Sequence, residues 1–170
     1  TAVGTVMTNM GFSKFCEANG IDFVSTKVGD RYVLESMLQN GYNIGGEQSG
    51  HIIFLDHSTT GDGELSGAML LSIMKRTGEK LSDLAKIMER YPQVLINVKV
   101  SNEGKLSFYT DKEVKAEINR VTEILGDTGR ILVRVSGTEP LVRVMLEGEN
   151  LEQIQTLAEE AAQVVRERLA

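Results

Sequence analysis

Residues 134–144, RVSGTEPLVRV, place a guanidinium on each side of a short polar turn, Arg134 before it and Arg143 after it. Two β-type runs meet there. Ile131, Val133 and Val135 share one face of the first run, and Leu132, Arg134 and Ser136 share the other. After the turn, Val142, Val144 and Leu146 alternate with Arg143 and Met145, so both arginines stand near its mouth. Gly137 is expected at positive φ, and Pro140 ends the loop. Successive N–H groups around a glycine form an anion-binding nest, and Ser136 and Thr138 add hydroxyl donors. Arginine offers a planar fork that matches phosphate. Two readings stay open on these residues alone. One is a phosphate cradle; the other is a surface hairpin whose arginines pair with carboxylates such as Glu139.

A second polar stretch, GGEQSGH at 45–51, precedes the apolar run IIFLD. Its glycines allow a close backbone approach to a ligand. Glu47 accepts, Ser49 donates and accepts, and His51 titrates near neutrality. Vicinal sugar hydroxyls need that mixture, and such a site rejects analogues that leave its polar groups unpaired. The alternative is a glycine-rich connection with a surface glutamate and a core histidine. In KVGDRYV, Gly29 permits a tight turn and Asp30 and Arg31 stand at a helix start, either as ligand contacts or as an N-cap with an exposed arginine. His57 reads as a loop residue, Asp62 as an N-cap, Cys16 as a small buried hydrophobe, and Met69 and Met74 as core.

The elements that position these groups fall into two rhythms. AVGTVMT, IDFVST and HIIFLD read as strands, and GFSKFCEANG, DRYVLESMLQNG and GELSGAMLLSIMKRTG as helices. The third helix turns Leu65, Met69, Leu70 and Ile73 to one side, and KLSDLAKIMERY adds a further helix. That alternation predicts an α/β domain with a mixed, largely parallel sheet over residues 1–91. Tyr91-Pro92 marks a break. Beyond it, QVLINVKV is a half-buried strand, a capping box from Thr110 to Glu113 opens a helix carrying Val114, Ile118, Val121 and Leu125, and RILVRV and LVRVMLEG are strands. A last helix turns Leu151, Ile154, Leu157, Ala158, Ala161 and Val165 inward. Residues 92–170 therefore predict a small α+β domain, mainly antiparallel with its helices on one face, laid out like the TATA-box-binding protein.

Net charge is −6, which argues against a general nucleic-acid surface but leaves room for one basic pocket. One cysteine excludes a disulfide framework and a cysteine-rich zinc site. No apolar run reaches the ~18 residues that span a membrane, and no charged-then-apolar signal segment opens the chain. A cytoplasmic protein is the expectation. Thr1 has no Met before it and AVGTVMT reads as a strand already under way, so the first domain is expected to be truncated at its start.

GEQSGH followed by RVSGTEPLVRV resembles the α-D-phosphohexomutases, and VMTNMGF, VGDRYV and TGDGE extend the resemblance over nearly the whole chain. Within that superfamily, GEQSGH with VGDRYVLE looks most like the bacterial phosphoglucosamine mutase branch. The resemblance implies a four-domain fold of which this chain is the third, sugar-reading domain and the fourth, phosphate-holding domain. It implies interconversion of glucosamine 6-phosphate and glucosamine 1-phosphate through a bisphosphate, on the route to UDP-N-acetylglucosamine and the cell wall. It also implies Mg2+ and a phosphoserine held by earlier domains; neither a Ser-His-Asn-Pro-type loop nor an Asp-Gly-Asp-x-Asp-Arg run occurs here.

Carried over residue by residue, the resemblance assigns Glu47 and Ser49 to sugar hydroxyls, with Asp30 and Arg31 in the specificity loop. It makes His51 a candidate acid or base. It gives Arg134, Ser136, Gly137, Thr138 and Arg143 the phosphate that is not reacting. The implied partners are the phosphosugar, the N-terminal domains of the same enzyme and a second copy in a full-length homodimer, with no nucleic acid and no membrane. The alternatives are a phosphomannomutase/phosphoglucomutase of the same superfamily, a stand-alone phosphosugar-binding module, and an interaction domain whose turns are structural.

Overall fold

Short apolar runs between glycine-closed helices build the first sheet. The computed structural model describes residues 1–170, which divide into two units, Thr1–Arg90 and Tyr91–Ala170. The first unit runs β1 (Ala2–Thr5), α1 (Met10–Ala18), β2 (Phe23–Thr26), α2 (Asp30–Asn40), β3 (Ile44–Gly46), β4 (Ile52–Phe54), α3 (Gly63–Thr77) and α4 (Leu81–Leu84). Strand order is β2-β1-β3-β4, with β1 parallel to both neighbours and β4 antiparallel to β3. The chain leaves β1 for β2 on one side and comes back to β3 on the other. Right-handed crossovers therefore put α1 and α2 on opposite faces.

Val33 and Met37 of α2 close the main core of this unit against Val3 and Ile53. Gly45 makes that approach feasible, because a Cβ there would lie 2.7 Å from both Met37 Sδ and Val33 Cγ1. Cys16 is buried, and burial raises its thiol pKa. Asp62 caps α3 by accepting from the Leu65 N–H at 2.9 Å.

The second unit runs β5 (Gln93–Lys99), α5 (Asn102–Ser107), α6 (Lys112–Leu125), a 3₁₀ turn (Gly126–Thr128), β6 (Gly129–Val135), β7 (Leu141–Gly148) and α7 (Leu151–Leu169). The sheet is antiparallel, in the order β5-β7-β6. Alternation gives it one apolar face, from Val98, Val142, Val144 and Leu146. Against it pack Val114, Val121 and Leu125 of α6 and Ile154, Leu157, Ala158, Ala161 and Val165 of α7. The architecture is the one the sequence predicts: a mixed, largely parallel sheet, then a small antiparallel sheet with helices on one face. No helix is long and apolar enough to cross a membrane.

The opposite face carries rows of facing residues. Gln93, Glu147 and Arg130 make one row, Leu95, Met145 and Leu132 the next, and Asn97, Arg143 and Arg134 a third. Glu147 is fully buried and is held by Arg130, whose Nε and Nη2 donate to Oε2 at 2.8 and 2.7 Å.

Several local expectations are corrected. The first strand stops at Thr5, where the Thr5 N–H turns to Thr8 Oγ1 at 3.0 Å. The segment 80–91 forms one helical turn only, Leu81–Leu84. Leu70 and Leu151 are exposed rather than inward. The cap of α6 is Asp111, which accepts from the Val114 N–H at 2.9 Å, so the Thr110–Glu113 capping box does not form. The short elements β3 and α5 were not anticipated.

Removing Arg130 leaves the Glu147 charge buried without its main partner. Arg130→Ala should therefore lose about 3–5 kcal/mol in urea unfolding. Arg120→Ala, which breaks exposed pairs to Glu117 and Glu160, should lose less than about 1 kcal/mol. Equal losses would show that the buried pair contributes nothing special.

Candidate functional site

The β6–β7 register brings Arg134 and Arg143 directly opposite each other. Like charges facing across a strand pair destabilise it. Their row lies next to the apolar row of Leu132, Met145 and Leu95. Burial first, and then the charge of Arg143, lower the Arg134 pKa from its ordinary value. Arg143 has a counter-ion, since its Nη2 donates to Glu139 Oε2 at 2.7 Å. Its Nε is buried with no partner. The Arg134 guanidinium has no hydrogen-bond or ion-pair partner. The surface-hairpin reading thus describes one arginine and fails for the other.

The turn itself is tightly tied on one side. The Ser136 N–H donates to the Leu141 carbonyl at 2.8 Å, and the Glu139 N–H donates to Ser136 Oγ at 3.2 Å. Ser136 is nearly buried, and its hydroxyl proton remains to be donated. The N–H groups of Gly137 and Thr138 and the Thr138 hydroxyl serve no partner within the protein. Gly137 does not take a positive φ, contrary to expectation. A Cβ placed on it would meet nothing within 4 Å, so its surroundings are open. Two guanidiniums, two hydroxyl protons and two free N–H groups leave this turn rich in donors, with one nearby carboxylate.

The first unit places its candidate residues at the carboxyl ends of the parallel strands. The crossovers move to opposite sides of β1 there, toward β2 and then toward β3, and ligands of open α/β sheets bind in such a crevice. Glu47 follows β3 and Gly29 follows β2. They are joined directly, because Glu47 Oε1 accepts from the Gly29 N–H at 2.9 Å. Gly29 has φ +128°, which positions its N–H at the start of α2. Gly45 and Gly46 belong to β3, where Cβ atoms would meet α2 and the His51 carbonyl, and both also line the larger cavity of this unit.

Residues 47–51 close the hairpin between β3 and β4, with the Glu47 N–H on the His51 carbonyl at 2.9 Å. Ser49 Oγ lies 3.3 Å from His51 Nδ1, and Nε2 has no hydrogen-bond partner. Asp30 accepts from the Arg31 N–H at 2.8 Å. Arg31 is exposed and pairs with Glu35 on its own helix at 2.8 Å.

The structure therefore groups Glu47 with the Gly29–Asp30 corner and groups Ser49 with His51. Arg31 is turned along α2. Two cavities flank these groups. One, about 340 Å3, is mainly apolar and includes Asn9, Phe12, Glu47 and Gln48. The other, about 270 Å3, is bounded by Asp30, Arg31, Leu34, Ile53, Thr59 and Thr60. Sequence reasoning missed Asn9, Thr59 and Thr60. Asn9 and Thr60 lie inside the resemblance stretches VMTNMGF and TGDGE but have no residue chemistry that singles them out, and Thr59 lies in the loop just before the second.

Residues 1–91 match the family profile "Phosphoglucomutase/phosphomannomutase, alpha/beta/alpha domain III", and residues 95–164 match "Phosphoglucomutase/phosphomannomutase, C-terminal domain". The chain is 53% identical over 169 residues to a phosphoglucosamine mutase of Caldanaerobacter subterraneus subsp. tengcongensis, covering 99% of the chain and 38% of that relative. Among solved structures it is similar to Aspergillus fumigatus N-acetylphosphoglucosamine mutase, with a TM-score of 0.86 at 19% identity, over 98% of this chain and 38% of that one. The same fungal enzyme in complex with GlcNAc-6P and magnesium gives 0.80 at 17%, over 99% and 39%. At such identities the structural likeness shows the fold. The chain spans less than two fifths of the length of the curated relative.

The Glu47–Gly29 bond has a direct readout. Glu47→Ala should speed exchange of the Gly29 amide about tenfold or more, since a hydrogen bond to a charged group contributes about 1.5–3 kcal/mol. Glu47→Gln keeps an acceptor and should speed it less. Unchanged exchange in Glu47→Ala would show that the bond does not hold the corner.

Proposed function

The chain belongs to the phosphoglucomutase/phosphomannomutase family, and from that premise we propose that it is the substrate-binding part of a phosphoglucosamine mutase. The full-length enzyme would interconvert glucosamine 6-phosphate and glucosamine 1-phosphate through a bisphosphate. One observation carries the reading: Arg134 and Arg143 oppose each other beside two free N–H groups, and only one of them has a counter-ion. A phosphate dianion satisfies that excess of donors. The 53% identity to a phosphoglucosamine mutase supports the choice of branch.

On this reading the second unit grips the phosphate that stays in place. Arg134 and Arg143 supply charge and fork geometry, Ser136 a hydroxyl, and Gly137 and Thr138 their N–H groups. The first unit reads the sugar. Glu47 keeps one carboxylate oxygen on Gly29 and offers the other to a hydroxyl. Ser49 fixes the His51 ring, whose free Nε2 can take or give a proton at the reacting hydroxyl. Asp30 borders the polar cavity beside that corner and bears on which sugar fits.

The substrate must bind in two orientations, so the grip must accept either phosphate. Catalysis of phosphoryl transfer rests on positioning and charge stabilisation, and positioning is what these residues supply. No three His, Cys, Asp or Glu side chains converge on a metal position. On this reading, by the family resemblance, the magnesium and the phosphoserine would be held by preceding domains, which would be this chain's partners, in a cytoplasmic and homodimeric enzyme.

Titrating the chain with glucosamine 1-phosphate should shift the amides of residues 134–143. Arg134→Ala should weaken binding at least about tenfold, from the loss of a charged hydrogen bond. No shift at millimolar ligand would overturn the phosphate site. The 170-residue chain alone should show no mutase turnover, and measurable turnover would contradict the division of labour. The full-length enzyme should prefer glucosamine phosphate in kcat/KM. Preference for mannose or glucose phosphate would assign it to the phosphomannomutase/phosphoglucomutase branch instead.

A further inference from the structure

The arginine turn has a third cation beside it, contributed by an element far away in sequence. Lys105 lies on α5 and its Nζ donates to the Glu139 carbonyl at 3.0 Å. The neighbouring Pro140 carbonyl accepts from the Val100 N–H, also at 3.0 Å. Two successive carbonyls of the turn are therefore tied to the 100–105 segment. The Glu139 carboxylate is tied to Arg143 at the same time, so residue 139 is held at its backbone and at its side chain.

The platform that carries Lys105 is itself fixed. Ser101 caps α5 by accepting from the Gly104 N–H at 2.9 Å, and the Ser101 N–H donates to the Leu169 carbonyl at 3.2 Å. Gly104 is pressed against the Leu169 carbonyl, where a Cβ would clash. Lys105 follows it immediately. A lysine serving only its own short helix would point along that helix or into solvent. This one crosses to the turn, 34 residues away.

Resting on the phosphate reading above, we propose that Lys105 is a positioning residue of the anion site. It pins the Glu139 carbonyl and so holds the preceding N–H groups, those of Gly137 and Thr138, in a fixed aim. Its charge adds to the positive field of the turn, an effect that salt screens. The recognised chemistry is a phosphate monoester dianion.

The test is calorimetric titration of the 170-residue chain with inorganic phosphate and with glucosamine 1-phosphate, at several salt concentrations. Lys105→Gln should weaken both ligands about three- to tenfold, as the loss of a charged contact implies. It should flatten the salt dependence of Kd and move the Gly137 and Thr138 amide signals, with Tm unchanged. Lys105→Arg, which keeps charge and donors, should stay within about twofold of the parent. Unchanged Kd and salt dependence in Lys105→Gln, beside a large loss in Arg134→Ala, would overturn the role of Lys105 and leave the phosphate site standing. No loss in Arg134→Ala, or no binding by the parent chain, would overturn the phosphate reading and Lys105 with it.

Discussion

Two guanidiniums face each other across one strand pair, and the register that forces this cannot slip. The ladder that sets Arg134 opposite Arg143 also sets Arg130 opposite Glu147 and Val133 opposite Val144. A shift of one residue would turn the apolar face of β6 to the open side and strand the buried Glu147. The core of the second unit therefore holds two like charges together at the mouth of the turn. The protein offsets only part of that repulsion, through Glu139. What remains is a partly desolvated arginine with no partner and a turn whose first N–H groups are unused. On the proposed reading this unfavourable energy marks the binding site, since an anion would remove it.

The first unit solves a different problem. Its polar groups are mostly satisfied, and what they offer a ligand is what is left over. Glu47 uses one oxygen on Gly29, His51 uses Nδ1 on Ser49, and Asp30 uses one oxygen on its neighbour's N–H. Groups held in this way are preorganised, and on the proposed reading a sugar would meet them without having to order them. Their common location is topological, because the carboxyl ends of β2 and β3 flank that of β1 where the crossovers diverge.

What the sequence makes legible follows from distance along the chain. The arginines, the turn and the alternation around them lie within one hairpin, so their chemistry is readable before any coordinates. Their direct opposition is not, because parity gives the face and only pairing gives the partner. β3 escapes notice because two of its three residues are glycines, and its strand character comes from pairing with β1 and β4. α5 has six residues with a glycine among them and no apolar period, so neither it nor Lys105 could be placed at the turn. Asp111 rather than Thr110 is the cap: its carboxylate takes the Val114 N–H and also meets Arg168 at 3.1 Å, while the Thr110 hydroxyl donates to the Ser107 carbonyl. Gly137 was read by residue type as a positive-φ position, whereas its use is open space.

The central claim is that Arg134 is held at a cost to stability which an anion removes. Urea unfolding of the parent chain and of Arg134→Gln, each with and without saturating phosphate, tests it most directly. Arg134→Gln is expected to be at least as stable as the parent without phosphate. Phosphate is expected to stabilise the parent, by the mass-action link between binding and folding, and to leave Arg134→Gln nearly unchanged. A variant less stable than the parent without phosphate, yet stabilised by phosphate to the same extent, would contradict the claim.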